Sequence, residues 1–102
     1  EHSEQQLEKA ILSKIGLFLR EMGGVFAFVG NQYRLEVDGK EFFIDLLLYH
    51  RYLKALVALE LKIGEFKPEY VGKMQFYLRA LDEQVRIEGE SFSIGIILCK
   101  SK

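Results

Sequence analysis

Phe42-Phe43-Ile44-Asp45-Leu46-Leu47-Leu48-Tyr49, followed shortly by Ala55-Leu56-Val57-Ala58-Leu59-Glu60-Leu61-Lys62, is the stretch whose reading decides the fold. Both runs are nearly continuous in apolar residues and read as buried strands, one over about Glu41–Tyr49 and one over Ala55–Ile63. An acid inside such a run is costly unless it is paired, hydrogen-bonded or bound to a cation. Asp45 and Glu60 are two such acids. Strand side chains alternate between faces, so Glu60 and Lys62 point the same way.

The register follows from the turns. A connection centred near Tyr52 and Leu53 sets Asp45 opposite Glu60, where opposed Cβ atoms lie about 4.5–5.5 Å apart. Upstream, Tyr33, Leu35 and Val37 alternate with polar residues, and Asp38-Gly39 is a strong hairpin signal. A two-residue turn there pairs Val37 with Lys40 and carries Gln32 opposite Asp45. Gln32, Asp45 and Glu60 then form a row across three strands, with Lys62 two residues further along.

Further out, Ser3 and Gln6 form an S-x-x-Q capping pattern. Leu7, Ile11, Ile15, Phe18 and Met22 describe one amphipathic helix, which Gly23-Gly24 ends. Val25–Val29 is an extended entry into the first strand. Pro68 opens a second helix running to about Gln84, with Tyr70, Met74, Tyr77, Leu78, Leu81 and Val85 on its apolar face. Ser93–Lys100 reads as a buried strand. The expected order is α-β-β-β-α-β, an α/β domain with a small mixed sheet covered by helices on both faces.

Composition sets the outer limits. The chain has 102 residues, enough for one domain, and 49 % are hydrophobic. Its single cysteine, Cys99, excludes an intramolecular disulfide and reads as a small buried hydrophobe in a reducing compartment. No apolar run approaches the roughly 20 residues of a membrane span, and no secretory signal opens the chain. The expected location is cytoplasmic. The formal net charge of −1, with no basic block, argues against an autonomous tight DNA binder. It fits a catalytic module delivered to nucleic acid by another region. The chain starts at Glu1 without an initiator methionine, so the expectation is a C-terminal part of a longer protein whose N-terminal region targets it.

Two facing carboxylates repel, and a divalent cation removes the conflict. An oxygen donor set with no His/Cys cluster suits Mg²⁺ or Mn²⁺, which keep waters and bind phosphate oxygens. Lys62 is placed to orient an attacking water or to offset charge growing on a phosphate. Two acids plus a lysine therefore read as phosphodiester hydrolysis. The bland alternative is a structural Glu–Lys pair with a hydrogen-bonded Asp at a sheet end.

At these residues the chain resembles a known family. Asp45 followed by Glu60-Leu61-Lys62 matches the D…E-x-K form of the PD-(D/E)XK nuclease superfamily. Phe42–Arg51 with Glu60-Leu61-Lys62 resembles more specifically the YhcG-type PDDEXK nuclease domain. Phe26–Arg34, Phe66–Gly72 and Ile94–Cys99 extend the likeness over nearly the whole chain. The resemblance implies a restriction-endonuclease-like core and a metal-dependent nuclease acting on DNA. It implies that Asp45, Glu60 and the backbone carbonyl of Leu61 hold the cation, with Lys62 beside the attacking water. Related nucleases often carry Q-x-x-x-Y on the following helix; here Lys73 takes the Gln position and Tyr77 is retained, on one helix face.

Around this core, Gln32, Glu8, Lys73 and Tyr77 are accessory candidates. Glu8 lies beside the apolar stripe of the first helix, where an exposed acid is the plainer expectation. His50 follows the Asp45 strand and invites a general-base reading, though loop-end histidines are common. Phe42, Phe43, Phe66, Phe76 and Phe92 read most simply as core, with base stacking as the alternative. Nucleases of this size often dimerise to reach both strands, so a homodimer is a further expectation. A nuclease-like fold serving as a binding or assembly module is the competing function class.

Overall fold

The computed structural model describes residues 3–101, with the side chain of Phe18 outside that description. The elements are α1 (Glu4–Ser13), α2 (Ile15–Glu21), β1 (Phe26–Val37), β2 (Lys40–His50), β3 (Ala55–Ile63), α3 (Glu69–Gln84) and β4 (Ile94–Lys100). The four strands form one mixed sheet in the order β1-β2-β3-β4. The first three are antiparallel, and β4 returns through α3 to lie parallel to β3. This is the expected α/β architecture.

Ser3 caps α1 as its sequence indicates: its hydroxyl accepts the Gln6 N–H and the Gln6 side chain accepts the Ser3 N–H. The single amphipathic helix expected up to Met22 is instead two. Lys14 leaves helical geometry at φ −117°, its N–H shared between the Ile11 and Leu12 carbonyls. The Ser13 hydroxyl bonds back to Ala10 O, competing with the backbone ladder at the break. Met22, read as part of the apolar stripe, is exposed just beyond α2, as is Leu17 within it.

The Asp38-Gly39 turn pairs Val37 with Lys40, as the turn chemistry requires. Both turn residues have positive φ, 52° and 78°, the geometry that makes Asp-Gly a hairpin signal. The Val25–Val29 entry is not a separate segment. From Phe26 onward it belongs to one long β1 that stays paired with β2 through an irregularity between Phe28 and Gly30.

α3 lies across one face of the sheet. Met74, Tyr77, Ala80 and Leu81 bury against Leu35, Ile44, Leu47, Leu56 and Ala58. Full burial of such side chains contributes about 1.5–3 kcal/mol each. Close approach of α3 to β4 needs Gly95, where a Cβ would meet Met74 Cγ at 2.5 Å. On the other face α1 packs against β3 and α2 against β1. Leu46, Val57 and Leu61, alternating with the residues under α3, are fully buried. β4, expected to be buried, is an edge strand. Its Ile96 and Leu98 point to the face opposite Ile97 and are 42 % and 43 % exposed, because the helices on that face pack mainly over β3 and β1. Cys99 is half-buried on the same strand.

Candidate active site

The sheet forks at the two acids. The β2–β3 ladder runs from His50↔Ala55 to Leu46↔Leu59 and stops, although both strands continue. Beyond that point β2 stays with β1 and β3 stays with β4. The register carried one step past the last pair sets Asp45 opposite Glu60, as the turn arithmetic expects.

Carboxylates take over the bonding that the ladder abandons. Glu60 Oε2 accepts the backbone N–H of Asp45 at 2.9 Å, and Asp45 Oδ2 accepts the backbone N–H of Leu61 at 2.8 Å. Asp45 also sits where the alternation of β2 slips: Phe42 and Ile44 on one side of it, and Leu47 and Tyr49 on the other, all face α3. A regular strand would not place even- and odd-numbered residues on one face. The irregularity lets the Asp45 carboxylate reach both β3 and β1.

Glu60 is 5 % exposed, the one buried charged side chain among the described residues. Burial is the main reason its carboxyl is pushed up from 4.5 to about 7. The Asp45 charge pushes the same way, while the Asp45 N–H and the positive charges of Lys73 and Lys62 oppose it. The same buried, negative surroundings push the Tyr77 phenol up to about 12, so it stays neutral.

Lys62 lies on the α3 side of β3, its Nζ 5.1 Å from the centre of the Tyr70 ring. Lys73 holds Nζ 5.6 Å from the Tyr77 ring centre, one turn back along α3. Among the described residues neither lysine is in an ion pair; those pairs use Arg34, Arg79 and Arg86. Both ammonium groups rest on aromatic faces beside the acids and keep hydrogens free for an anionic ligand.

On the other side of Asp45, Gln32 takes the place the hairpin register assigns it, between the pairs Asn31↔Leu46 and Tyr33↔Ile44. Its Nε2 donates to Asp45 Oδ1 at 3.2 Å and to Glu8 Oε1 at 2.6 Å. Glu8 is therefore half-buried at the site rather than free on the helix surface. The fold brings together Glu8, Gln32, Asp45, Glu60, Lys62, Lys73 and Tyr77.

It does not bring His50. That residue lies five positions along β2, roughly 16 Å away at strand rise. Its Nδ1 accepts the Leu53 N–H in the turn, and its ring meets Phe26 edge-on. The phenylalanines also depart from expectation. Phe42 packs against the α3-side core, but Phe43, Phe66, Phe76 and Phe92 are 38–71 % exposed. Phe43 lies on a part of β2 that β3 has left, and Phe92 covers the Arg86 guanidinium. Tyr70, read only as a core position, is the residue sequence reasoning missed. Its signal was its spacing from Lys73 and Tyr77, which puts all three along one side of α3.

The donor set fits a hard divalent cation. Asp45 and Glu60 offer oxygen, and Glu60 is a buried acid held beside another acid, a conflict that positive charge relieves. Among the described residues no cluster of three or more His, Cys, Asp and Glu forms a metal cage. A cation here would take two carboxylates and complete its shell with backbone and water oxygens, as Mg²⁺ does.

Comparison with known proteins points to a nuclease family. The family model described as the YhcG PDDEXK nuclease domain matches residues 1–102. "Putative nuclease YhcG" of Escherichia coli K12 is 39 % identical over 102 residues, all of this chain. The chain spans 27 % of the length of that relative. No solved structure matches.

Proposed function

The chain belongs to the YhcG PDDEXK nuclease domain family, and we propose that it hydrolyses phosphodiester bonds in DNA with a divalent cation, Mg²⁺ or Mn²⁺. Asp45, Glu60 and the backbone carbonyl of Leu61 would hold the cation. Nucleases of this fold generally use such ions, and the oxygen donors at the fork suit them. When bound, the cation supplies polarisation of a phosphoryl oxygen and a lowered pKa for water at the site.

The rest of the chemistry belongs to the chain. Lys62 orients the attacking water and offsets charge developing on the phosphate, from the face it shares with Glu60. Lys73 and the neutral Tyr77 phenol bind phosphate oxygens on the α3 side. Glu8 and Gln32 support Asp45 from the α1 side. The near-neutral net charge fits delivery to DNA by the other regions of a longer, cytoplasmic protein, with a second copy supplying the site for the second strand.

One observation carries this reading: Asp45 and Glu60 face each other at the fork, with Lys62 one strand repeat away. The test is calorimetric titration of Mn²⁺ into the wild type, Asp45→Ala and Glu60→Ala, with and without DNA, paired with a DNA-cleavage assay. Cation binding and cleavage that both substitutions abolish are expected.

A second reading has its own support. Each carboxylate already accepts a backbone N–H, so the pair persists without a cation. That is what an inactive binding or assembly module would retain. Failure of Mn²⁺ to bind even with DNA present would move the assignment there.

A further inference from the structure

Gln32 is an anomaly in β1. It sits inside a twelve-residue strand, yet its backbone is left-handed, with φ 47°. A residue with a Cβ adopts that region at a cost, and such strain persists where surrounding structure enforces it. No extra residue is inserted here, because the pairs on both sides keep one register. What the conformation accompanies is the side chain's reach: one carboxamide nitrogen meets Asp45 Oδ1 and Glu8 Oε1 together.

Two carboxylate oxygens can face only the NH₂ end of an amide, so the chemistry fixes its orientation. Both amide hydrogens are committed, one to each acid. The Asp45 carboxylate is then held at both oxygens, Oδ1 by Gln32 and Oδ2 by the Leu61 N–H. Glu8 is carried into the site through Gln32, and α1 is tied again where Glu4 Oε2 accepts the Ile63 N–H at 3.3 Å. Beside this link opens a cleft of about 470 Å³ lined by Gln5, Glu8, Lys9 and Gln32.

We infer that Gln32 is a positioning residue for the cation: it orients Asp45 and couples the docking of α1, through Glu8, to the occupancy of the Asp45–Glu60 site. The inference rests on the proposed function and adds a residue and a moving part to it. By holding Oδ1, the amide fixes the rotation of the Asp45 carboxylate toward the fork. A cation bound there would fix Asp45 in turn and steady the amide's hold on Glu8. A tether of structural importance alone would leave cation affinity untouched.

The test uses the 102-residue chain, with Mn²⁺ affinity by calorimetry and amide hydrogen exchange of α1 by mass spectrometry. Gln32→Gly removes the carboxamide while accepting the left-handed backbone, which separates the amide's role from strain. It is expected to weaken Mn²⁺ about tenfold or more, as loss of a ligand's supporting hydrogen bond does. It should also speed exchange in metal-free α1. Gln32→Glu keeps the reach but removes the donor, setting three carboxylates together. Its α1 should exchange fast without metal and regain protection when Mn²⁺ is added.

Mn²⁺ affinity within twofold of a binding wild type in Gln32→Gly, or α1 exchange in Gln32→Glu that ignores Mn²⁺, overturns this inference and leaves the nuclease reading standing. A wild type that binds no Mn²⁺ even with DNA removes both.

Discussion

Asp45 and Glu60 are cross-bonded through the main chain: the Glu60 carboxylate accepts the Asp45 N–H, and the Asp45 carboxylate accepts the N–H of the residue after Glu60. Each acid therefore has a structural bond and a charge, and the two can be separated by substitution. Asp45→Asn keeps a carbonyl oxygen for the Leu61 N–H and removes the repulsion, but turns an NH₂ toward the Gln32 amide and gives up that bond. Its urea midpoint should fall less than that of Asp45→Ala, while Mn²⁺ binding is lost. Asp45→Ala leaves the Leu61 N–H without that acceptor and should cost about 1–3 kcal/mol in the same denaturation experiment.

The Glu60 carboxyl gives a pH dependence whose direction is fixed. Its pKa of about 7 in the folded chain lies above its ordinary 4.5, so folding takes up a proton between those values. The stability from this group is fully present below about 4.5 and is lost as pH rises through 7. Urea unfolding of the wild type and Glu60→Gln, compared across pH 4 to 8, should show this slope in the wild type alone. Cation affinity should run the other way, rising with pH as Glu60 ionises.

Lys62 touches neither acid in an ion pair, and its ammonium rests over Tyr70. Lys62→Met should therefore leave Mn²⁺ affinity nearly unchanged and lower the cleavage rate about 10²-fold or more, the scale of a lost electrostatic donor. Parallel calorimetry and single-turnover cleavage decide this. Equal losses in both would make Lys62 part of the cation site instead.

Lys73 stands where related nucleases often carry glutamine, and it faces the same acids over the Tyr77 ring. As a phosphate contact it supplies charge without reading sequence. Lys73→Gln should raise the KM for DNA, change kcat little and reduce the salt slope of binding by about one unit. A Lys73→Gln variant with unchanged salt dependence would remove Lys73 from the substrate side.

Packing predicts a specific failure at β4. A Cβ at position 95 would overlap Met74 Cγ and Sδ at 2.5 and 2.7 Å. Gly95→Ala should cost about 1–3 kcal/mol in urea unfolding, the range for overpacking. The double variant Gly95→Ala, Met74→Ala should cost less than the sum of the two single changes, because the shortened residue vacates the space.

Much of this molecule was legible in its residues. The Asp38-Gly39 turn fixed one register and the short Tyr52–Leu53 connection the other. Together they put Gln32, Asp45 and Glu60 in a row, because strand pairing is arithmetic once the turns are known. The run Ala55–Ile63 is β3 to the residue, and Pro68 sits at the N-cap of α3. Less was legible about exposure. Ile96 and Leu98 carry the same apolar pattern as a central strand, and nothing local in that pattern distinguishes a centre from an edge.

The sequence by itself determined the element order, the hairpin registers, the pair of acids with their lysine, and the family. These depend on local periodicity, turn chemistry and motif spacing, all of which are properties of short stretches. Tertiary structure alone decided that the sheet forks at Asp45 and Glu60, and that each carboxylate replaces a lost ladder bond. It also decided that Tyr70 lies beneath Lys62, and that Gln32 joins α1 to the site across 24 residues of chain to Glu8. Such contacts come from where distant elements meet, and that is set by the packing of the whole domain rather than by any segment of it.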